Sequence, residues 1–250
     1  MRHETLHLTV NERVEQLNVR YQHHGATSVL ERALSDPYVG QIGLVSSFGA
    51  ESVVLLHMIS IMDRTTPILF IDTEMLFEET LDYQREIAER LKLTDIRIVR
   101  AAQVDVNRID PDGTLHQHDT DACCALRKHV PLQTALSGFD AWITGRKRFQ
   151  SDTRAALDFF ENEENKRIKV NPLAHWTRDD VRDYMENNRL PRHPLVAKGY
   201  PSIGCAPCTS PVNEGEDPRA GRWRGEEKIE CGIHFVNGKM VRGPLPVGAS

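Results

Sequence analysis

Five cysteines are the residues of this 250-residue chain best suited to chemistry. Cys123 and Cys124 are adjacent, Cys205 and Cys208 form a C-x-x-C pair, and Cys231 stands apart. Four thiolates suffice to hold one metal centre, so the count predicts a cluster or metal site and one spare thiol. Neighbouring cysteine side chains diverge, which favours an iron–sulfur cluster over a zinc ion on which all four sulfurs converge. The alternative is that the four are buried, inert side chains.

The spare cysteine, Cys231, follows a tail segment that contains Arg219, Arg222, Arg224 and Lys228. Cationic neighbours stabilise a thiolate, so this setting predicts a nucleophile. With the other four cysteines committed to a metal centre, none remains to resolve a covalent intermediate on Cys231. Redox turnover would then need a thiol from another molecule.

Three segments lie beyond the carboxyl ends of predicted strands, where ligands bind in sheets of this kind. The loop S-S-F-G-A-E-S at 46–52 has small and hydroxyl residues between a predicted strand and a predicted helix, where backbone N–H groups can hold a phosphate. Asp72 ends another predicted strand, and the basic cluster at 144–148 ends a third. For the loop at 46–52 the alternative is an ordinary Ser/Gly turn. For the basic cluster at 144–148 the alternative is a solvated charged face.

The elements that must position these residues alternate along the chain. We predict strands at 41–46, 67–72, 96–100, 141–145 and 169–173, and helices at 51–62, 77–92, 125–137 and after Thr177. This alternation predicts an α/β fold with a doubly wound, mostly parallel sheet, in which ligands bind beyond the carboxyl ends of the strands.

Outside this core, residues 1–38 are predicted to be a helical lead-in. The α/β domain is predicted to run over 39–210, and 211–250 form a C-terminal segment within a proline-punctuated, loop-rich tail.

Composition narrows the class of protein. The formal charge of −5 argues against bulk nucleic-acid binding, which needs a basic face. The start has no signal-peptide core, and no stretch approaches a membrane span, so we expect a cytoplasmic location. In a reducing compartment the cysteines favour metal binding or catalysis over disulfides.

Eight segments, in order, carry a resemblance to a known family. They are S-S-F-G-A-E-S, F-I-D-T, C-C-A-L-R-K-H-V-P-L, I-T-G-R-K-R-F-Q-S, K-V-N-P-L-A-H-W-T, G-Y-P-S-I-G-C-A-P-C-T, G-E-D-P-R-A-G-R-W and E-C-G-I-H. From roughly residue 40 to 235 the chain resembles the iron–sulfur adenylylsulfate (APS) reductases of assimilatory sulfate reduction, relatives of the phosphoadenylylsulfate (PAPS) reductases. The two cysteine pairs are the motifs that separate the APS-using branch from the cluster-free PAPS reductases.

The resemblance implies a fold of the adenine-nucleotide α-hydrolase type, a cofactor and a reaction. Cys123, Cys124, Cys205 and Cys208 would hold a 4Fe–4S cluster. Cys231, on a mobile C-terminal segment, would attack the sulfur of APS, expel AMP and become a cysteine S-sulfonate. Reduced thioredoxin would then release sulfite, on the way to cysteine biosynthesis.

Substrate-binding residues follow by motif position. Three cations would surround the sulfate, and the phosphate loop, one basic residue of 144–148 and Asp72 would hold the nucleotide. The expected set is Ser46, Ser47, Gly49, Ser52, Asp72, Lys128, Arg146, Arg148, Arg219 and Arg222. The alternatives are ordinary surface charge for Lys128, a salt bridge within the tail for Arg219 and Arg222, and a turn cap for Asp72.

Other interpretations stay open at this point. Glu74 stands where relatives often have glycine, and His234 could tune Cys231. PAPS or both nucleotides could be the substrate, and the chain could form a homo-oligomer. An ATP pyrophosphatase that transfers sulfur would favour a fuller S-G-G-x-D-S loop, and a non-catalytic metal sensor would not need Cys231.

Overall fold

Six short strands form the central sheet. In the computed structural model, which describes residues 8–151, 154–225, 235–236 and 239–240, these strands are β1 (Ile42–Ser46), β2 (Ile68–Ile71), β3 (Ile96–Val99), β4 (Ala141–Ile143), β5 (Phe160–Glu163) and β6 (Arg167–Val170). Their order is β3-β2-β1-β4-β6-β5, and every neighbouring pair is parallel except β5 with β6. The doubly wound, mostly parallel sheet is therefore confirmed.

Helices precede the sheet and connect its strands. They are α1 (Val10–Tyr21), α2 (Ala26–Ala33), α3 (Val53–Met62), α4 (Glu78–Leu91), α5 (Gln103–Ile109), α6 (Leu115–His118), α7 (Thr120–Cys124), α8 (Val130–Ala135) and α9 (Arg178–Asn187). In the tail, β7 (Phe235–Val236) and β8 (Lys239–Met240) pair antiparallel. No helix among the described residues is both long and apolar enough to cross a bilayer.

The core lies between the sheet and these helices. All four residues of β2 are buried, and α3 is buried on nearly every face, as its apolar sequence predicts. Thr9 caps α1 and Thr177 caps α9, each through a capping box. In the described part of the predicted lead-in, α1 is tied to the sheet by the side chain of Asn18, which bonds the backbone of Phe160 in both directions at 2.8 and 3.0 Å.

The antiparallel edge strand β5 was not predicted. Its sequence F-E-N-E has little of the apolar pattern of a strand. Glu164 and Asn165 both take positive φ, at 52° and 56°, in a tight turn that pairs β5 with β6. Pairing to β6, rather than local propensity, makes this segment a strand.

The predicted helix at 125–137 is wrong in detail. After α7, residues Ala125–His129 form a π-helical turn, α8 follows, and Leu136–Gly138 end in a 3₁₀ turn. Pro131 has no N–H to donate, and its ring would crowd the carbonyl four residues earlier. The wider π turn next to the proline relieves this conflict, and such turns are common at functional sites.

Two predicted strands are also shorter than expected. The strand predicted at 141–145 ends at Ile143, and the one predicted at 169–173 is the segment Arg167–Val170. In both cases the residues that follow the strand turn into the polar edge of the sheet, where the site lies. The domain boundary at 210 stays a prediction.

Candidate functional site

A cleft of about 450 Å³ opens at the carboxyl ends of β1 and β4. This is the edge at which ligands bind in open α/β sheets, and the volume is within the range of small-molecule sites. Six basic and two acidic side chains line it, so the cleft is locally positive although the chain is not. The charged lining residues are Arg146, Lys147, Arg154, Arg178, Arg219, Arg222, Glu51 and Asp217.

The loop between β1 and α3 forms one wall of the cleft. The Phe48 N–H donates to Ser46 Oγ at 3.2 Å, and Phe48 takes a φ of 48°. This left-handed turn buries the Phe48 ring edge-on to Phe70, with the centroids 5.2 Å apart. Phe48 thus anchors the loop in the core, while Ser47, Gly49 and Ser52 line the cleft at the amino end of α3. Backbone N–H groups at such a helix end favour an anion.

Arg146 is held at the opposite wall by Glu161 of β5 and by Asn171, which directly follows β6. Its guanidinium pairs with Glu161 of β5 and donates to Asn171 Oδ1 at 3.0 Å. Asn171 is fully buried and in turn donates to Glu161 at 2.8 Å and accepts from Thr144 at 2.6 Å. The strand that the sequence did not predict therefore positions a predicted substrate residue.

Lys147 and Glu51 form an ion pair inside the cleft. The Lys147 ammonium lies 2.7 Å from Glu51 Oε2, with the lysine side chain 3% exposed and the glutamate side chain 36% exposed. Burial lowers the pKa of Lys147, and the charge of Arg154 lowers it further, whereas Glu51 opposes both. The pair links the phosphate-type loop to the basic cluster at 144–148.

Arg219 and Arg222 come from the tail and complete the lining of the cleft. Both also line an adjoining cavity, which includes Arg148. The Arg222 guanidinium lies 4.4 Å from the Trp223 ring centroid and donates to the Ile203 carbonyl at 3.3 Å. Within the described part of the chain, its buried Nε has no hydrogen-bond partner.

Next to this cleft, the two segments that carry the cysteine pairs both contact Thr73, just beyond the carboxyl end of β2. Cys123, Cys124 and Cys205 are buried, and Cys208 is partly exposed. The C-x-x-C loop docks on the chain after β2, because the Ala206 N–H donates to the Met75 carbonyl at 2.8 Å. Thr73 Oγ1 lies 3.2 Å from Cys205 Sγ.

Burial and neighbouring thiols both raise the pKa of the Cys123 thiol. Burial raises the pKa of Cys123 to about 11, and the thiol groups of Cys205 and Cys208 add to the rise, whereas Arg127 opposes it. Separate thiolates repel at such a site, so a positive partner is needed to hold several of them deprotonated. A metal centre held by these cysteines would supply that charge.

Arg127, in the π turn, organises the surroundings of the cysteines. It is 5% exposed, and its Nη2 lies 2.9 Å from Asp110 Oδ2 while its Nη1 donates to the Thr73 carbonyl at 3.1 Å. Burial alone would raise the pKa of Asp110, but the bonds from Leu115 and Arg127 and the arginine charge lower it below its ordinary value. This buried pair ties α5, the π turn and the end of β2 together.

Among the described residues, no group of three or more His, Cys, Asp or Glu side chains is placed to hold a metal ion. The cluster stays a prediction from the cysteine pairs, because four thiolates that bind different irons need not converge on one point. Cys123, Cys124, Cys205 and Cys208 are the residues that could hold it.

Most of the predicted substrate residues meet at the cleft. Its lining includes Ser46, Ser47, Gly49, Ser52, Arg146, Arg219 and Arg222. Three others lie elsewhere: Arg148 in the adjoining cavity, Lys128 buried in the π turn, and Asp72, whose carboxylate is 2.7 Å from Arg100 and accepts from the Glu74 N–H. Cys231 and His234 lie outside the described residues.

Sequence reasoning missed several lining residues. Arg178 is the first residue of α9, where acidic side chains are usual, and it stacks on Phe149 at 5.3 Å. A basic residue at that position was a signal for an anion nearby. Lys147 belongs to the basic cluster at 144–148 that the sequence indicated, but its burial, like the placement of Arg154, depends on long-range packing.

Comparison with known proteins identifies relatives. The model of the phosphoadenosine phosphosulfate reductase domain family matches residues 41–211, more than half of the chain. A protein of Mesorhizobium japonicum named adenosine 5′-phosphosulfate reductase is 51% identical over 219 residues, 88% of this chain and 86% of its own. Adenosine 5′-phosphosulfate reductase 1 of Bacillus subtilis is 41% identical over 218 residues, 84% of this chain and 91% of its own.

Solved structures agree on the fold. A crystal structure of phosphoadenylyl-sulfate (PAPS) reductase from Candida auris, a phosphate complex, matches with a TM-score of 0.69 and 29% identity, over 82% of this chain and 98% of that one. The FMN adenylyltransferase of Candida glabrata matches with a TM-score of 0.51 and 16% identity, over 96% of this chain and 85% of that one, and shows the fold alone. These neighbours are consistent with the adenine-nucleotide α-hydrolase type of α/β fold.

Proposed function

The chain belongs to the phosphoadenosine phosphosulfate reductase family, and from that membership we propose that it reduces adenylylsulfate (APS) to sulfite and AMP. The observation that carries the proposal is the 51% identity to a named adenosine 5′-phosphosulfate reductase over 88% of the chain. The two cysteine pairs next to an anion-binding cleft support the same reaction. It belongs to assimilatory sulfate reduction, which supplies sulfite for cysteine biosynthesis.

Two groups of residues would bind the two anionic parts of APS. The nucleotide phosphate would lie against Ser47, Gly49 and Ser52 at the amino end of α3, with Arg146 at the other wall. The sulfate would meet Arg219 and Arg222. Their charges would hold the sulfate and offset the negative charge that builds up when a thiolate attacks it.

Cys231 would be the nucleophile. Its thiolate would form a bond to the sulfur of APS while the bond from that sulfur to the phosphate oxygen breaks, so AMP leaves with the electron pair and the cysteine becomes an S-sulfonate. One thiolate of reduced thioredoxin would attack Cys231 Sγ and expel sulfite. The second thioredoxin thiol would then release Cys231 as a thiol and complete the disulfide in thioredoxin, so two electrons pass from thioredoxin to the substrate.

A 4Fe–4S cluster would be held by Cys123, Cys124, Cys205 and Cys208. When bound it would tie the two cysteine-bearing chain segments together beside the sulfate-binding cations and supply a fixed charge there. Lys128 directly follows Arg127 in the π turn and is buried near these cysteines, a position suited to balancing thiolate charge. We infer a reducing, cytoplasmic setting for such a site.

The test is sulfite release by anaerobically purified protein, with reduced thioredoxin and with APS and PAPS assayed side by side. We expect sulfite and AMP from APS, little from PAPS, and about four iron and four sulfide ions per chain. Comparable rates with both would assign a dual-substrate reductase, and sulfite from PAPS alone would assign a PAPS reductase.

A matched variant separates the enzyme from a cluster-bearing sensor. Cys231→Ser should abolish sulfite release and leave the iron content unchanged, because that residue is not among the proposed ligands. Turnover by Cys231→Ser, or silence of the iron-loaded wild type with both nucleotides, would contradict the proposal.

A further inference from the structure

Gly204 leaves room for the guanidinium group of Arg222. A Cβ atom built on Gly204 would have three atoms within 3.0 Å, and all three are guanidinium atoms of Arg222 (Nη2, Cζ and Nε). The φ of Gly204 is not in the left-handed region, so an alanine could adopt this backbone. The nearest obstacle to a side chain at this position is therefore Arg222.

Arg222 also belongs to the same structural unit as the C-x-x-C loop. Thr209 pairs with Arg222 in an antiparallel bridge, and the Trp223 N–H donates to the Cys208 carbonyl at 3.0 Å. Thr209 Oγ1 donates to the Cys205 carbonyl at 2.8 Å and accepts from the Gly204 N–H at 3.2 Å. The loop that carries two cysteines and the turn that carries Arg222 are therefore held in one register.

We propose that Gly204 is a positioning residue, which lets the C-x-x-C loop hold the Arg222 guanidinium against the cleft at the place where the substrate sulfate binds. The inference rests on the proposed function, since it takes APS as the ligand. The buried Nε of Arg222 has no hydrogen-bond partner within the described residues, so no protein group there satisfies this donor of the guanidinium. One cation of the sulfate site is thus positioned by the same loop that supplies two of the proposed cluster ligands.

A second glycine shows why Gly204 can be tested without unfolding the chain. A Cβ on Gly221 would overlap the backbone carbonyl of Ser210, which cannot move without breaking the Ser210 N–H to Gly221 carbonyl bond of 2.8 Å. For a Cβ on Gly204, by contrast, the three nearest atoms all belong to the end of the Arg222 side chain rather than to backbone. Gly204→Ala should therefore displace Arg222 and preserve the fold.

The experiment measures equilibrium binding of APS and of AMP to the iron-loaded Cys231→Ser protein, in which attack on the sulfate is blocked. Adding Gly204→Ala should weaken APS binding about tenfold, the size of a lost charge-assisted hydrogen bond. AMP lacks the sulfate, so its affinity should not change. The control Gly25→Ala, whose Cβ would meet open space at the start of α2, should change neither affinity.

A double-mutant cycle tests whether the effect passes through Arg222. In an Arg222→Ala background, Gly204→Ala should cause no further loss of APS affinity. An equal loss in that background, an equal loss for AMP, or a fall in iron content caused by Gly204→Ala would overturn the inference, because the glycine would then act on the fold or on the cysteines.

The outcomes also separate this inference from the proposed function. Tight APS binding by the parent protein with no change on Gly204→Ala would overturn the inference alone. A parent protein that binds AMP but gains nothing from the sulfate of APS would overturn the proposed function and this inference with it.

Discussion

The cleft and the cysteine region lie at the same edge of the sheet but place their cations differently. Around the cleft, the cations line an open space and pair with polar groups, as Arg146 does with Asn171 and Glu161 and the buried Lys147 does with Glu51. Around the cysteines, Arg127 and Lys128 are buried and line neither the cleft nor the adjoining cavity.

This difference follows from what each region must do. A cleft that exchanges an anionic nucleotide needs cations that water and ligand can both reach. A site that gathers four thiols needs positive charge that stays in place, because buried thiolates without it repel one another. Substitutions in the cleft should therefore change binding, whereas those around the cysteines should change stability and iron content.

The largest effect is expected from Cys123→Ser. Serine is a poor ligand for iron, so we expect loss of the cluster and a fall in sulfite release of more than about 100-fold. Iron and sulfide analysis with the activity assay checks this. Cys231→Ser is the matched control, since it should lose activity and keep iron; full iron in Cys123→Ser would break the comparison.

Next in size is the buried pair of Arg127 and Asp110. Arg127→Met leaves the carboxylate buried without its partner, so the free energy of unfolding should fall by about 3–5 kcal/mol. Adding Asp110→Asn to the Arg127→Met variant should restore part of the lost free energy of unfolding, because the buried group is then uncharged. Urea unfolding measures both, and the exposed ion-pair variant Arg182→Ala should leave the midpoint unchanged.

A third test uses pH and His193, which begins the segment that leads to the C-x-x-C loop. Burial lowers the pKa of His193 to about 4, with Glu79 opposing it. The unfolded chain binds a proton near pH 6.5 and the folded chain does not, so stability should fall as the pH drops from 6.5 towards 4, by up to about 3 kcal/mol.

Urea unfolding at about pH 7.5, 6 and 5, on either side of the ordinary histidine pKa, checks the sign. His193→Gln should flatten this pH dependence, whereas the exposed His23→Gln should retain it. An unchanged slope in His193→Gln would show that another group causes the acid sensitivity.

The smallest effect is expected in the cleft, from Lys147→Met. This change leaves Glu51 unpaired on the cleft wall, so AMP should bind about tenfold more weakly, with little change in the unfolding midpoint. Adding Glu51→Gln to the Lys147→Met variant should recover part of the affinity for AMP. A large loss of stability with unchanged AMP binding would contradict the division between the two regions.

Much of the fold could be predicted because its signals are local. Apolar runs such as I-L-F-I mark buried strands, and Thr177 with Asp180 marks a helix start. The missed strand β5 has no such signal, since it exists through pairing with β6. The π turn depends on how the segment around Pro131 packs, which a helical pattern does not show.

The candidate site likewise has features that the sequence predicted and features that only folding revealed. Residue types and order predicted the cysteine pairs and the loop at 46–52, and seven of the ten predicted substrate residues line one cleft. Asp72, Lys128 and Arg148 lie elsewhere, because the sequence placed them near strand or helix ends without showing which way their side chains point.

The amino-acid sequence by itself determined the family, the alternation of strands and helices, and the inventory of thiols and cations. Only the tertiary structure decided that Glu161 and Asn171 hold Arg146, that Lys147 is buried against Glu51, and that Gly204 makes room for Arg222. The physical reason is the separation of the interacting residues along the chain. Periodicity and capping act within a few residues, whereas burial and charge pairing join residues that only folding brings together.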